Sequence, residues 1–171
     1  MPRRLQVYTD PLQHALIAAV VAAPLVSRGG WRVVGTAVAA ATVIDVDHAV
    51  AARSVRIRAT TSLATRPRSH SAVTALGVGA LIAVAAGPVH GWAAFGGLAS
   101  HLMHDAGDRA APTPLLWPFA RERQLGRRWQ LAVTTGLVLG SLAVSRAGGA
   151  AWRGPSAVVA GDGAAPLRRT A

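Results

Sequence analysis

The chain has 171 residues, a length that fits one domain. Hydrophobic residues make up 51% of it and charged residues only 15%, against roughly 25% charged in an average soluble domain. All 18 basic residues are arginine, and with 7 acidic residues they give a formal charge of +11. There is no cysteine, which excludes disulfide scaffolds, thiolate zinc sites and cysteine nucleophiles. Long apolar stretches argue against disorder, leaving a helical membrane protein or an alanine-rich soluble bundle.

Stretches without full charges predict five apolar helices, at residues 11–27, 31–48, 71–87, 89–105 and 129–146. Gly29-Gly30 and Gly87-Pro88 separate neighbouring helices, because glycine permits positive φ and proline does not continue a helix interior. The predicted fold class is therefore all-α, a multi-pass membrane bundle of four or five short helices within residues 1–146. The Gly/Pro/Ala/Arg-rich tail, residues 147–171, is expected to be disordered.

Tryptophan placement favours the membrane over a soluble bundle. Several helices reach only the low end of the length needed to span, about 20 apolar residues. However, four tryptophans lie near predicted helix ends, as in an interfacial aromatic belt: Trp31, Trp92, Trp117 and Trp129. The expected partner is therefore the lipid bilayer. The first apolar stretch contains His14 and leads directly into the second helix, so we expect it to be retained rather than cleaved.

The arginines indicate the orientation. If all five helices cross, residues 1–10, 49–70 and 106–128 share one side and carry most of the arginines, while the turns opposite carry Arg28 and Arg32. The positive-inside rule places the first side, with the N-terminus, in the cytoplasm, so a multi-pass membrane protein is expected. With five crossings, the basic tail that follows the last helix lies on the side opposite the cytoplasm, against the positive-inside rule. The sequence therefore leaves open whether the last helix crosses fully. This arrangement explains the charge of +11 without specific nucleic-acid binding.

Histidine and aspartate side chains gather at the predicted cytoplasmic helix ends: His14, Asp45, Asp47, His48, His70, His101, His104 and Asp105. An Asp at a helix centre in a bilayer costs roughly 2.5–3.5 kcal/mol, so such residues usually pair inside the bundle. A divalent cation satisfies several of them at once, and a set without thiolates suits Zn, Mn, Fe or Ni. Each motif alone also fits a helix cap or a polar pair. Their convergence on one side favours a metal site, whereas His90, on the opposite side, is expected to be interfacial.

In this order the motifs resemble the YdjM-like family of inner-membrane, metal-dependent hydrolases, whose name also mentions LexA. The resemblance covers residues 11–128 and rests on His14 and four elements: Ile44-Asp45-Val46-Asp47-His48, Arg66-Pro67-Arg68-Ser69-His70-Ser71, His101-Leu102-Met103-His104-Asp105 and Leu115-Leu116-Trp117-Pro118-Phe119. It implies a metal-ligand set of His14, Asp45, Asp47, His48, His70, His101 and Asp105.

The chain departs from the family pattern at several positions. Ile44 replaces a proline, Thr65 a histidine and Pro67 a glycine, and residues 107–113 lack the usual Leu-Thr-Pro-Trp-Gly. His104 occupies a usually apolar position and is not carried over as a ligand. These changes affect the expected substrate contacts more than the metal ligands, and they leave open whether activity is retained.

The leading hypothesis is a membrane-embedded hydrolase with a mono- or dinuclear metal centre. Asp47 would bridge a second ion, orient a histidine or act as general base. Arg66 and Arg68 would bind a phosphate or carboxylate of the substrate, or serve only as flanking charges. A phosphoester or a lipid-like ester would suit an interfacial site.

Two other functions are compatible with these residues. The same cluster could serve a non-catalytic metal-binding or ion-transport membrane protein, although transporters bind near the midplane rather than at one end. A basic DNA- or LexA-associated partner is the third hypothesis, and no nucleic-acid module supports it. The oligomeric state is not predicted.

Overall fold

The computed structural model describes residues 3–107, 111–120 and 126–151. Within these ranges the chain is helical and contains no β-strand, which confirms the all-α prediction. The helices are α1 (Arg3–Ala22), a 3₁₀ turn (Ala23–Leu25), α2 (Val26–Gly29), α3 (Arg32–Val43), α4 (Val46–Ala51), α5 (Ile57–Thr60), α6 (Ala72–Ala86), α7 (Pro88–Gly107) and α8 (Arg127–Ala151).

The predicted helices are present, with different ends. α1 begins at Arg3 and continues through Pro11, where the sequence predicted a start, because charged residues limit an apolar span and not a helix. The predicted helix 31–48 is interrupted between α3 and α4 at Ile44 and Asp45. α8 continues to Ala151, past the predicted end, and the rest of the predicted disordered tail, residues 152–171, lies outside the described residues.

The two predicted turns adopt the conformations that glycine allows. Gly30 has φ 67° and Gly87 has φ 92°, and Pro88 is the first residue of α7. Both turns are tight because a residue with positive φ reverses the chain without a long loop. They fix α1–α2 beside α3 and α6 beside α7.

α7 is the central helix and packs against α1, α3, α6 and α8. Small residues allow the close approach: a Cβ atom at Gly97 would collide with the backbone of Ala37 in α3. A Cβ at Gly91 would lie 2.7 Å from the carbonyl oxygen of Gly79 in α6. Alanines fill much of the remaining core, including Ala18 and Ala93. Small residues at helix contacts are typical of membrane bundles.

Large apolar side chains point outward instead. Leu81, Val84 and Phe119 are 70%, 89% and 85% exposed, and Trp31 and Trp92 are also exposed. Two segments are long and apolar enough to cross a bilayer, Pro11–Gly29 and Arg32–Ala51, and only 17% of each is buried in the bundle. The helix Ala72–Ala86 is also apolar but shorter. This outward distribution suits lipid as the surrounding solvent.

Candidate metal centre

α7 contributes the most deeply buried part of a histidine and aspartate cluster. His101 and Asp105 are one helical turn apart, and both side chains are fully buried. His101 Nε2 lies 3.1 Å from Asp105 Oδ2. The predicted pair is therefore formed inside the bundle, near the C-terminal end of α7.

The interruption between α3 and α4 positions a second group of polar side chains, which includes Asp45 and Asp47. At the break, the backbone N–H groups of Asp47 and His48 bond to the carbonyls of Ile44 and Asp45, three residues back. This tightened turn brings Asp45 and Asp47 to the same histidine, His70. In an uninterrupted helix, the two carboxylates would point in widely different directions.

His70 lies between these two carboxylates, in the turn before α6. Its Nδ1 atom is 3.1 Å from Asp47 Oδ2, and its Nε2 atom is 3.6 Å from Asp45 Oδ1. A carboxylate accepts, so Nδ1 carries the proton and donates to Asp47. Ser69 also donates to Asp47 Oδ2, and Ser71 caps α6 by accepting a hydrogen bond from the Thr74 N–H at 3.3 Å. The cap and the carboxylate hold the His70 ring so that Nε2 faces the centre of the cluster.

Four potential ligand atoms meet at this centre. The Nε2 atoms of His70 and His101 are 3.2 Å apart. Asp45 Oδ1 lies 3.6 and 3.5 Å from them, and Asp105 Oδ2 lies 3.5 and 3.1 Å from them. Two ligands of a tetrahedral metal with bonds of about 2.0–2.1 Å are about 3.3–3.5 Å apart. Each of these five pairs therefore lies near the spacing of two ligands of one cation, while Asp45 and Asp105 belong to different groups of potential ligands.

His14 and His48 flank this centre on opposite sides. His14, from α1, places Nε2 3.5 Å from Asp105 Oδ1, and its ring stacks on His101 at 3.9 Å between centroids. His48 Nδ1 lies 3.1 Å from Asp47 Oδ1, and its ring meets His70 edge-on at 4.8 Å. The potential ligand atoms fall into three groups within metal-binding distance: His14, His101 and Asp105; Asp45, His70 and His101; Asp47, His48 and His70.

The two arginines proposed for the substrate separate in the structure. Arg66 is nearly buried, and its Nη1 atom lies 3.0 Å from Asp105 Oδ2. Arg68 is exposed, and its guanidinium carbon lies 5.7 Å from the centre of the Trp117 ring, as in a cation–π contact. Arg66 therefore belongs to the cluster, and Arg68 to its surface surroundings.

The charge balance of the cluster centres on His70. Burial by itself lowers the pKa of an imidazole, but Asp45, Asp47 and Asp105 outweigh it and raise the pKa of His70 to about 9. Without a metal, the ring is therefore protonated at neutral pH. Its positive charge offsets part of the negative charge of the three carboxylates.

Several buried polar atoms of the cluster lack well-aligned hydrogen bonds and could instead bind a cation. Both oxygens of Asp105 are buried, and ion pairs with Arg66 and His101, at 3.0 and 3.1 Å, offset the charge, but neither oxygen accepts a well-aligned hydrogen bond among the described residues. His101 Nδ1 is also buried without such a bond. Leaving a buried charged group without hydrogen bonds is costly. Two imidazole nitrogens and two carboxylates would satisfy a divalent cation, so the residues present fit the implied metal.

Several residues outside the predicted set complete the surroundings. Ser69 belongs to the Arg66–Ser71 element, but the sequence assigned it no role. Its position next to His70 is the feature from which its contact with the cluster could have been predicted. His104 meets His14 edge-on at 4.7 Å and lies 3.1 Å from the Gln130 side-chain nitrogen of α8, outside all three ligand groups. His90 is 2.8 Å from the Thr36 hydroxyl and takes no part in the cluster.

Together, the lipid-suited exterior and the buried polar cluster define a helical membrane protein with a candidate metal site. The chain belongs to the YdjM inner membrane protein family, whose sequence model matches residues 10–163. The resemblance noted in the motifs is thereby confirmed. No curated protein and no solved structure matches the chain.

Proposed function

We propose that this protein is a metal-dependent hydrolase whose divalent cation is held by Asp45, His70, His101 and Asp105. The observation that carries the proposal is the set of five distances, 3.1–3.6 Å, that join the two imidazole nitrogens to each other and to the two carboxylates. When bound, a divalent cation supplies Lewis-acid charge that polarises an ester or phosphoester and favours ionisation of water.

The surrounding residues position these ligands. Asp47 accepts the Nδ1 proton of His70 and so directs Nε2 to the centre, which favours the orienting role among those considered for it. Arg66 offsets the charge of Asp105 and holds its carboxylate in place. Asp45 is the most exposed of the four ligands, at 33%, so we propose that substrate approaches from its side.

The proposed location is the bacterial inner membrane, with several crossings and the N-terminus in the cytoplasm. The arginine distribution supports this orientation by the positive-inside rule. The cluster then faces the cytoplasmic interface, where a phosphoester or a lipid-like ester is accessible. A site at one end of the helices favours hydrolysis over ion transport, which uses sites near the midplane.

The first test is the metal content of the detergent-purified chain, measured by elemental analysis after incubation with Zn, Mn, Fe or Ni. We expect about one ion per chain in the wild type and little in Asp45→Ala or His101→Ala, because each variant removes a ligand from a separate helix. His90→Ala is the matched control, since His90 is a helix-borne histidine outside the cluster. A wild type without metal, or loss of metal in His90→Ala alone, would contradict the site.

Activity and transport are separated by a second measurement. Metal-dependent turnover of phosphoesters or lipid esters in detergent, without movement of metal into proteoliposomes, would support hydrolysis. Metal flux across the vesicle membrane without turnover would instead support the transport alternative.

A further inference from the structure

The sequence element at residues 115–119 forms a turn that is docked on the start of α6. The carbonyl oxygen of Leu115 accepts a hydrogen bond from the Ala72 N–H at 2.9 Å, and the Leu115 side chain packs on core residues of α6 and α7. The three large side chains that follow point outward and are 57%, 37% and 85% exposed: Leu116, Trp117 and Phe119. None of them is a potential metal ligand, so the cluster does not account for this turn.

The backbone of the turn is suited to an apolar environment. The N–H groups of Trp117, Phe119 and Ala120 bond to carbonyls of residues 114–116 at 2.8–3.1 Å. Pro118 has no N–H group that needs a partner. A loop is normally kept in water by its unpaired backbone groups, because each of them costs free energy when it leaves water. This turn can therefore enter the interfacial region of a bilayer at little cost to its backbone.

The contact with α6 places the turn at the level where that helix enters the membrane. α6 contains no charged residue, but its 15 residues extend only about 22 Å at 1.5 Å per residue, against about 30 Å of hydrocarbon. A helix this short leaves a mismatch, which the bilayer or groups beside the helix end must accommodate. The exposed side chains of the turn lie beside the first residue of α6 and extend the lipid-facing surface at that end.

A cationic group accompanies the apolar side chains. The guanidinium carbon of Arg68 lies 5.7 Å from the centre of the Trp117 ring, and Arg68 is exposed. In the part of the chain that the structure describes, no carboxylate pairs with Arg68, so its charge is available to an anion. Indole rings favour the depth of the lipid head groups, and a guanidinium at the same depth binds phosphate.

We propose that residues 116–119 and Arg68 form an interfacial anchor on an anionic leaflet. Leu116, Trp117 and Phe119 enter the boundary between head groups and acyl chains, and Arg68 binds a lipid phosphate. The partner is the leaflet as a surface and not a substrate. The anchor therefore depends neither on the metal nor on hydrolysis.

The anchor also has a consequence for the depth of the cluster. Backbone hydrogen bonds tie the segment around the turn to both ends of residues 66–72: Arg66 N–H donates to the carbonyl oxygen of Pro112 at 3.1 Å, and Ala72 N–H donates to that of Leu115. His70 lies between these two bonds. An anchored turn therefore holds the segment that carries His70 at the level of the interface.

The test uses the full chain in nanodiscs, which leave both faces of the membrane accessible. The chain has no cysteine, so Leu116→Cys and Phe119→Cys each accept one fluorescent nitrobenzoxadiazole label, and each keeps the other apolar side chains of the turn. We expect quenching by a lipid nitroxide near the head group to exceed quenching by one near the chain end about twofold or more, since the turn is expected at the boundary. Aqueous iodide should quench little.

Ser62→Cys is the matched control. Ser62 is an exposed residue that follows α5 in the arginine-rich segment, so both labelled regions share the same surrounding charge. Its label should show the reverse pattern, with strong quenching by iodide and weak quenching by the lipid nitroxides. Wild-type helicity in circular dichroism identifies the labelled variants that are folded.

The phosphate contact is tested with a second pair of variants, labelled at Phe119→Cys. Quenching by the shallow nitroxide should be stronger in nanodiscs that contain phosphatidylglycerol than in phosphatidylcholine alone, because the anionic lipid pairs with Arg68. Arg68→Gln should abolish this difference, whereas Arg58→Gln, an exposed arginine of α5, should preserve it. Equal quenching in the two lipids with Arg68 present would overturn the phosphate contact.

Two outcomes would overturn the anchor itself. Iodide quenching at both turn positions as strong as at Ser62→Cys would place the turn in water. Protection of both positions from iodide and from the lipid nitroxides would place the turn under protein, either a second copy or another segment of this chain. Absence of metal from the same preparations would contradict the proposed metal site and leave the anchor standing.

Discussion

At the scale of single residues, the His70 imidazole is the point where the cluster is organised. Its two nitrogens contact carboxylates from the same short turn, Asp47 at Nδ1 and Asp45 at Nε2. Only Nε2 also contacts His101 and Asp105. The two aspartates therefore have different tasks, one fixing the ring and the other facing the shared centre.

This division predicts different outcomes for Asp47 and Asp45. We expect Asp47→Asn to keep a metal site with affinity lowered about 10–100-fold, since the amide holds the ring less firmly and makes Nε2 less basic. Competition with a chelator of known affinity measures the loss. Ser69→Ala removes only the second donor to the same carboxylate and should weaken binding less. Complete loss of metal in Asp47→Asn would make Asp47 a ligand instead.

The raised pKa of His70 predicts that metal binding depends on pH. Below a pKa of about 9 the ring is protonated, and Nε2 must lose its proton to bind a cation. Affinity should therefore rise by up to about tenfold per pH unit between about pH 6.5 and 8.5 and level off above the pKa. Titration calorimetry in two buffers with different ionisation enthalpies measures the released protons. Binding without proton release near neutral pH would contradict this charge state.

At the scale of helices, α7 can lie at the centre of the bundle because its glycines bring neighbouring backbones into contact. Gly97 faces the backbone of Ala37, which cannot move aside as a flexible side chain would. The same contact fixes α3 just before the break that delivers Asp45. Gly136 and Gly140 of α8 form a GxxxG motif, but a Cβ at either would meet no described atom within 4 Å.

Replacement of Gly97 by alanine is therefore expected to destabilise the bundle, by about 1–3 kcal/mol, because the added methyl group overpacks the α3–α7 contact. A lower midpoint of thermal unfolding in detergent measures the effect. Gly35→Ala is the matched control: it lies within α3, where a Cβ meets open space, and should be neutral or stabilising by about 0.5–1 kcal/mol. Equal stability of the two variants would show that the close contact is absent.

The sequence predicted the helices better than their breaks. Uncharged runs and the glycine turns located five helices, and the spacing of four residues placed His101 and Asp105 together. The interruption at Ile44 has no local signal, since neither proline nor glycine stands there; it accompanies the contacts of Asp45 and Asp47 with His70, which is distant in the sequence. The different positions of Arg66, in the cluster, and Arg68, on the surface, could not be predicted either. A loop has no periodicity from which side-chain direction can be inferred.

At the scale of the whole molecule, the distribution of side chains is the reverse of that in a soluble bundle. Alanine and glycine fill the interior, while large apolar residues such as Leu81 and Val84 face outward. The polar cluster lies inside at one end, and the segment that follows α4 carries Arg53, Arg56 and, in α5, Arg58. Bilayer orientation therefore decides which compartment has access to the cluster, and under the proposed topology the arginines set that orientation.

The absence of cysteine makes this orientation directly testable with two isosteric substitutions. Ser27→Cys lies in the turn region between α1 and α3, and Ser62→Cys lies in the arginine-rich loop after α5; both positions are exposed. A membrane-impermeant maleimide should label Ser27→Cys in intact spheroplasts and Ser62→Cys only after the membrane is disrupted, because the positive-inside rule retains the arginine-rich loop in the cytoplasm. The reverse pattern would place the cluster at the outer face, and labelling of both in intact spheroplasts would exclude a crossing between them.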